Sequence, residues 1–156
     1  MDVNVDKKKL YDALSHFQGV VEKRNTIPIL SNLKLKALEG KLEITATDLA
    51  LEISESIFAN VNKSGELTIP SQLLFDIVRK APEKSKIEMR EESESGQVFI
   101  FFGDSKFSLP YLPTSDFPEM QEENLENNFE LEAEKLRYLI NDCKFSMGLD
   151  ESRLYL

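Results

Sequence analysis

Few side chains in this 156-residue sequence have the type and spacing to do covalent chemistry. Asp48 and Glu52 form a carboxylate pair of the sort that holds a divalent metal for hydrolysis. No third ligand recurs nearby, and Asp48 sits where a turn between strands favours aspartate. His16 is the single histidine and Cys143 the single cysteine. One of each is too few for a thiolate-rich zinc site, an internal disulfide or a Ser-His-Asp arrangement. His16 reads as a surface helix residue, and Cys143 as a small core residue on an apolar helix face. A Gly-rich phosphate loop and a nucleophile motif are both missing from the sequence. The sequence therefore assigns no catalytic residue, no metal and no cofactor.

Charge offers a different chemistry. The formal net charge is -9, which argues against nucleic acid only until its distribution is seen. From Met1 to Lys36 seven cations meet four anions, a net of +3, whereas from Glu119 to Asp142 eight anions meet only Lys135 and Arg137, a net of -6. The basic end carries Lys8, Lys9 and Arg24, and Arg79 with Lys80 forms a second basic spot further on. On spacing alone these are solvated cations of helix faces and a loop. Placed in line on one surface, the same cations would meet a phosphate backbone without reading bases.

The elements that must position them follow from periodicity. With 41% hydrophobic residues the chain holds apolar material for about one domain of ordinary size. No apolar run approaches the roughly 20 residues of a bilayer span. Residues 1–7 lack the basic flank and apolar stretch of a signal peptide, so a cytosolic protein is expected. Val3 to Asp6 alternates like a short strand, and Leu10, Ala13, Leu14 and Phe17 then share one helical face, with Lys8, Lys9, Asp12, Ser15 and His16 off it. The design returns at Glu66–Ile69, followed by a helix opened by Pro70 and Ser71 with Leu74, Ile77, Val78 and Ala81 on its apolar face. It returns again at Phe129–Leu131 and a helix over 132–147 carrying Leu136, Leu139, Ile140 and Cys143. Leu10 to Leu74 is a step of 64 and Leu74 to Leu136 a step of 62, the mark of an internal repeat.

Three strands are predicted after each of the first two helices: Leu33–Ala37, Leu42–Ala46 and Leu49–Ile53, then strands around Ile87–Met89, Val98–Phe102 and Phe107–Tyr111. The fold class is α+β, with two strand-helix-three-strand repeats and the helices on one face of the sheets. Residues 1–120 form a first domain, 121–128 a polar linker with a single apolar residue, and 129–156 the start of a truncated second domain. A strand and helix without following strands leave an apolar face uncovered, so the chain is expected to be part of a longer one.

Several strings in order carry a resemblance: Arg24-Asn25-Thr26-Ile27-Pro28-Ile29-Leu30-Ser31-Asn32-Leu33, Ala46-Thr47-Asp48-Leu49, Phe75-Asp76-Ile77-Val78-Arg79, Phe107-Ser108-Leu109, Leu112-Pro113, Asp116-Phe117-Pro118, Phe145-Ser146-Met147 and Arg153-Leu154-Tyr155-Leu156. Together they make the chain similar to the bacterial DNA polymerase III beta subunit, the replicative sliding clamp. The resemblance implies the DNA clamp fold and a head-to-tail homodimer ring when full length, with helices lining the hole and sheets outside. It implies a non-catalytic processivity factor in the bacterial cytoplasm, associated with the nucleoid. Its partners would be double-stranded DNA, the replicative DNA polymerase, the clamp loader and other clamp-binding proteins that insert peptide motifs.

By that resemblance Arg24 and Arg79 face DNA; Lys80, adjacent to Arg79, and Lys8 and Lys9, off the apolar face of the first helix, are the further DNA-binding candidates, although Gln72 and Asp12 stand where relatives commonly have basic residues. Lys106, Phe107 and Leu109 belong to an edge strand at the ring seam, with Phe107 and Leu109 on one face. Arg153 and Leu156 match the rim of a partner-peptide cleft. A peptide-binding scaffold without DNA encirclement is the alternative, and paired basic helices favour the clamp over it. A hydrolase built on Asp48 and Glu52 comes third.

Overall fold

The computed structural model describes residues 1–21, 27–92, 95–118 and 129–148. Arg24, the linker 121–128, Arg153 and Leu156 lie outside the described residues. The chain divides into two compact units, Met1–Met120 and Gln121–Leu156.

The first unit begins with β1 (Asp2–Asp6), whose Val3 and Val5 point inward, and passes without a loop into α1 (Lys7–His16). Asp6 makes this abrupt change possible. Its Oδ1 accepts from the backbone N–H groups of Lys8 (3.0 Å) and Lys9 (3.1 Å), satisfying donors that have no partner within the helix. Strands β2 (Asn32–Leu38), β3 (Lys41–Thr47), β4 (Glu52–Phe58), β5 (Asn60–Lys63) and β6 (Gly65–Pro70) follow. Then come α2 (Ser71–Lys80) and β7 (Lys86–Glu92), β8 (Gln97–Phe102) and β9 (Ser105–Pro110).

These strands form two antiparallel sheets in the orders β5-β1-β7-β8-β9 and β4-β3-β2-β6. The repeats therefore exchange their first strands. β1 pairs with β7 of the second repeat, Val3 opposite Met89, while β6 pairs with β2 of the first, Ile69 opposite Leu33. Each repeat completes its sheet only with the other, which makes the two a single folding unit. The inner residues of both sheets and the apolar faces of both helices share one core, including Leu10, Leu14, Leu35, Ile44, Leu74 and Met89 at 0% exposure. Burying a side chain of that size is worth about 1.5–3 kcal/mol.

Two sequence expectations change here. The strand expected over Leu49–Ile53 starts only at Glu52, and β5 was not foreseen. The alternation of Leu49, Leu51 and Ile53 is real, but Leu49 has φ +77°, a left-handed conformation that interrupts a ladder. Its neighbour Asp48 supplies the reason, a side chain that accepts from the backbone N–H groups of Ala50 and Leu51. At the start of the chain the Met1 amino group pairs with Glu91, whose other carboxylate oxygen accepts from the Tyr111 hydroxyl at 3.1 Å. Gly65 packs against this corner, where a Cβ would lie 3.1 Å from Met1 N.

In the second unit α3 covers Ala133–Lys144, shorter than the span 132–147 expected from spacing. Phe129–Leu131 is not a strand: an isolated extended segment has no ladder to hold it. Cys143, expected in a core, is exposed, and so are Leu136, Leu139 and Ile140. The helix has its apolar stripe, but among the described residues of this unit no sheet covers it. No helix among the described residues is long and apolar enough to cross a membrane.

Candidate nucleic-acid interface

The 64-residue step has a physical expression at the seam between the helices. Tyr11 of α1 and Phe75 of α2 occupy equivalent positions, and their rings stack with centroids 5.4 Å apart and 23° between planes. Aromatic pairs in this geometry add roughly 0.5–1.5 kcal/mol beyond burial. With their apolar stripes in the core, the two helices present their polar sides together.

At 3.6 residues per turn the line opposite the buried stripe of α1 holds Lys8, Asp12 and Ser15; that of α2 holds Gln72, Asp76 and Arg79. Lys8 and Arg79 are exposed members of these lines. Lys9 lies to one flank, its Nζ 5.5 Å from the ring centroid of Phe58, which is 73% exposed on β4. Lys80 is exposed on the outer flank of α2 beside Leu73. Among the five cations singled out in the sequence, four are thus described: two on the outermost lines and two beside them. Arg24 is outside the described residues. His16 closes the flank of α1 with an Nδ1 contact of 2.8 Å to Glu55 on β4.

Lys7, which charge spacing did not separate from its neighbours, is different. It is buried at 6% exposure, pairs with Glu83 at 2.8 Å and lies 5.1 Å from the Tyr11 centroid. It is a seam residue of the fold. A signal was present in its place just after the Asp6 cap, where the helix first turns its stripe inward.

Among the described residues, several of the strings that carried the resemblance do a structural task. Ile29, Leu30 and Phe117 close a second small core, so the loop after α1 and the segment after β9 hold each other. Asn32 donates to the Thr68 hydroxyl at 3.1 Å, and that hydroxyl donates to the Leu112 carbonyl at 2.9 Å, covering the free edge of β6. Asp48 Oδ1 accepts from the backbone N–H groups of Ala50 (2.9 Å) and Leu51 (2.7 Å), and Thr47 Oγ1 accepts from Leu49 N at 3.0 Å. That turn forces Leu49 out of the ladder. It also engages the carboxylate that a hydrolase would need: no group of three or more His, Cys, Asp or Glu side chains among the described residues is arranged to hold a metal.

The bonds from Leu51 and Ala50 hold the Asp48 carboxyl below its ordinary value of 3.8. A carboxylate with a lowered folded value contributes stability above the unfolded value and loses it as pH falls through the folded one. Urea unfolding at pH 7 and at about pH 3 is therefore expected to show a smaller acid loss for Asp48→Asn than for the parent chain. Equal losses would remove Asp48 as a source of the pH dependence.

At the other end of the sheet β9 is an edge strand. Phe107 is 37% exposed and stacks on Phe102 at 5.4 Å, while Leu109 is only 7% exposed and belongs to the core. Phe107 and Leu109 share one face of β9, and of the two only Phe107 is open to solvent at the rim. Lys106 turns to the opposite sheet face, its Nζ 4.1 Å from the Phe99 centroid and 5.7 Å from that of Phe101.

A family model for the N-terminal domain of the DNA polymerase III beta subunit matches residues 1–121. The chain belongs to that family. The beta-subunit relatives include the protein named Beta sliding clamp from Caulobacter vibrioides (strain NA1000 / CB15N), 38% identical over 156 residues, which are 100% of this chain and 42% of that protein. The Beta sliding clamp of Escherichia coli (strain K12) is 34% identical over 157 residues, with the same coverage. Among solved structures, Caulobacter crescentus pol III beta superposes with a TM-score of 0.93 at 38% identity, covering 100% of this chain and 42% of that one. A sliding clamp from Bartonella birtlesii bound to griselimycin gives 0.92 at 39%, covering 99% and 41%. The exchanged sheets and paired helices are thus the clamp fold, and the chain spans about two fifths of the length of those relatives.

Proposed function

We propose that the full-length protein is a sliding clamp that encircles duplex DNA and tethers the replicative polymerase, without catalysis and without reading sequence. The observation that carries this reading is the helix pair: α1 and α2, locked at Tyr11 and Phe75, offer one solvent face with Lys8, Lys9, Arg79 and Lys80. Arg24, by the family resemblance, joins that face in this reading. Cations on a rigid surface bind phosphates, and phosphates are the same on every sequence.

Two chains close a head-to-tail ring through the β9 edge, with Lys106, Phe107 and Leu109 near the seam, and Arg153 and Leu156 lie at a cleft that takes peptide motifs of the polymerase, the clamp loader and other partners. The protein works in the bacterial cytoplasm at the nucleoid and needs no cofactor. Net acidity suits this arrangement, because an acidic exterior keeps DNA to the hole. Full-length protein carrying both Arg24→Ala and Arg79→Ala is expected to bind linear duplex more weakly, equally on unrelated sequences, with a salt slope reduced by about 0.9 per lost phosphate contact. Loss confined to one sequence, or unchanged binding, would remove these cations from the DNA face.

A further inference from the structure

Asp76 meets two partners with its two oxygens. Oδ2 accepts from Gln72 Nε2 at 3.1 Å, and Oδ1 lies 2.9 Å from Arg79 Nη2. Gln72 is neutral, so of these two partners only Arg79 answers the carboxylate's charge. The guanidinium carbon lies 5.8 Å from the Phe75 centroid, Phe75 stacks on Tyr11, and Lys7 Nζ lies 5.1 Å from the Tyr11 centroid. Cation, ring, ring and cation thus form one row across the seam. The Arg79 side chain is 55% exposed and that of Asp76 36%, so both remain open to an approaching anion. The first repeat lacks this pair: Asp12 is the 64-residue counterpart of Asp76, but Ser15 stands in the place of Arg79 and donates to the Tyr11 carbonyl at 2.8 Å.

A guanidinium has five N–H donors in a planar fork and can exchange one anionic partner for another while its stem stays stacked. We propose that Asp76 is a positioning residue that competes with phosphate for Arg79 and so loosens the grip of this face on DNA. When a phosphate leaves, Asp76 receives the guanidinium, so no unpaired state has to be crossed between successive phosphates. Phe75 keeps the charge at the seam throughout. The inference rests on the reading of this helix face as the DNA-facing surface.

The test uses full-length protein, linear duplexes of two unrelated sequences and a salt series, with Asp76→Asn, Arg79→Ala, the two combined, and Asp12→Asn as a control for the same change in charge on the same face. Thermal melts check that each variant is folded. Asp76→Asn is expected to raise affinity about two- to fivefold at low salt, the range of one exposed ion pair, and to slow diffusion along DNA by a similar factor in single-molecule tracking. In the Arg79→Ala background the same substitution is expected to do no more than Asp12→Asn does. If Arg79→Ala weakens binding but Asp76→Asn gains nothing over Asp12→Asn, or if its gain survives the loss of Arg79, the competition is overturned and the DNA-facing surface stands. If Arg79→Ala leaves binding unchanged, both fall.

Discussion

Serine in place of Phe107 is expected to weaken self-association of the full-length protein by about thirtyfold or more, the effect of removing one aromatic anchor worth about 2 kcal/mol from an interface. Phe107 has the properties such an anchor needs. It lies on the terminal strand of the five-stranded sheet, whose outer side offers backbone groups for another strand. Its ring is 37% exposed but already held against Phe102, so little conformational freedom is lost when a partner covers it. Leu109, two residues on, requires a separate comparison. At 7% exposure it is a core residue, and Leu109→Ala is expected to cost the domain itself about 2–5 kcal/mol. Sedimentation at several concentrations, with urea unfolding of the same samples, separates the two: Phe107→Ser shifts the dimer far more than the unfolding midpoint, whereas Leu109→Ala shifts both. A full-length dimer indifferent to Phe107→Ser would place the seam elsewhere.

Much of the fold was legible because it is written in periodicity. The apolar stripes of α1 and α2 and the inward residues of β2, β3, β7 and β8 follow local rules, and the 64-residue step gave the repeat. The exchange of β1 and β6 between repeats was not legible. Both orders bury the same residues, and the choice between them is made by long-range pairing, such as Val3 with Met89 and Leu33 with Ile69, which leaves no local pattern. The late start of β4 was missed for a different reason. A two-residue alternation at Leu49 and Leu51 imitates a strand, while the Asx turn at Asp48 overrides it through two backbone hydrogen bonds.

The candidate site was legible as a face and less so as a set of roles. Charge type and helical spacing put Lys8, Lys9, Arg79 and Lys80 on the polar side, where the structure has them. Three consecutive lysines nevertheless take three different environments: Lys7 buried at the seam, Lys8 on the outermost line and Lys9 toward Phe58. A turn of 100° per residue separates them, and only the positions of the neighbouring helix and β4 decide which direction is crowded. The Asp76–Arg79 pair was equally present in the sequence, one turn apart, but its meaning depends on the stack that carries Arg79.

Topology distinguishes encirclement of DNA from simple attraction to it. Cations on one face give contacts that screen with salt, so an open binder leaves circular and linear duplex at the same rate. A closed ring on a circle has no such exit, whatever the salt, and leaves a linear molecule by sliding off its ends. The most direct measurement assembles full-length protein on a circular duplex with a bacterial clamp loader, raises the salt until binding to free linear duplex is lost, and follows retention before and after a single cut. The expected result is long retention on the circle, rapid release after the cut, and restored retention when bulky blocks close both ends. Equal release from circular, cut and end-blocked DNA would contradict encirclement and leave only a basic surface.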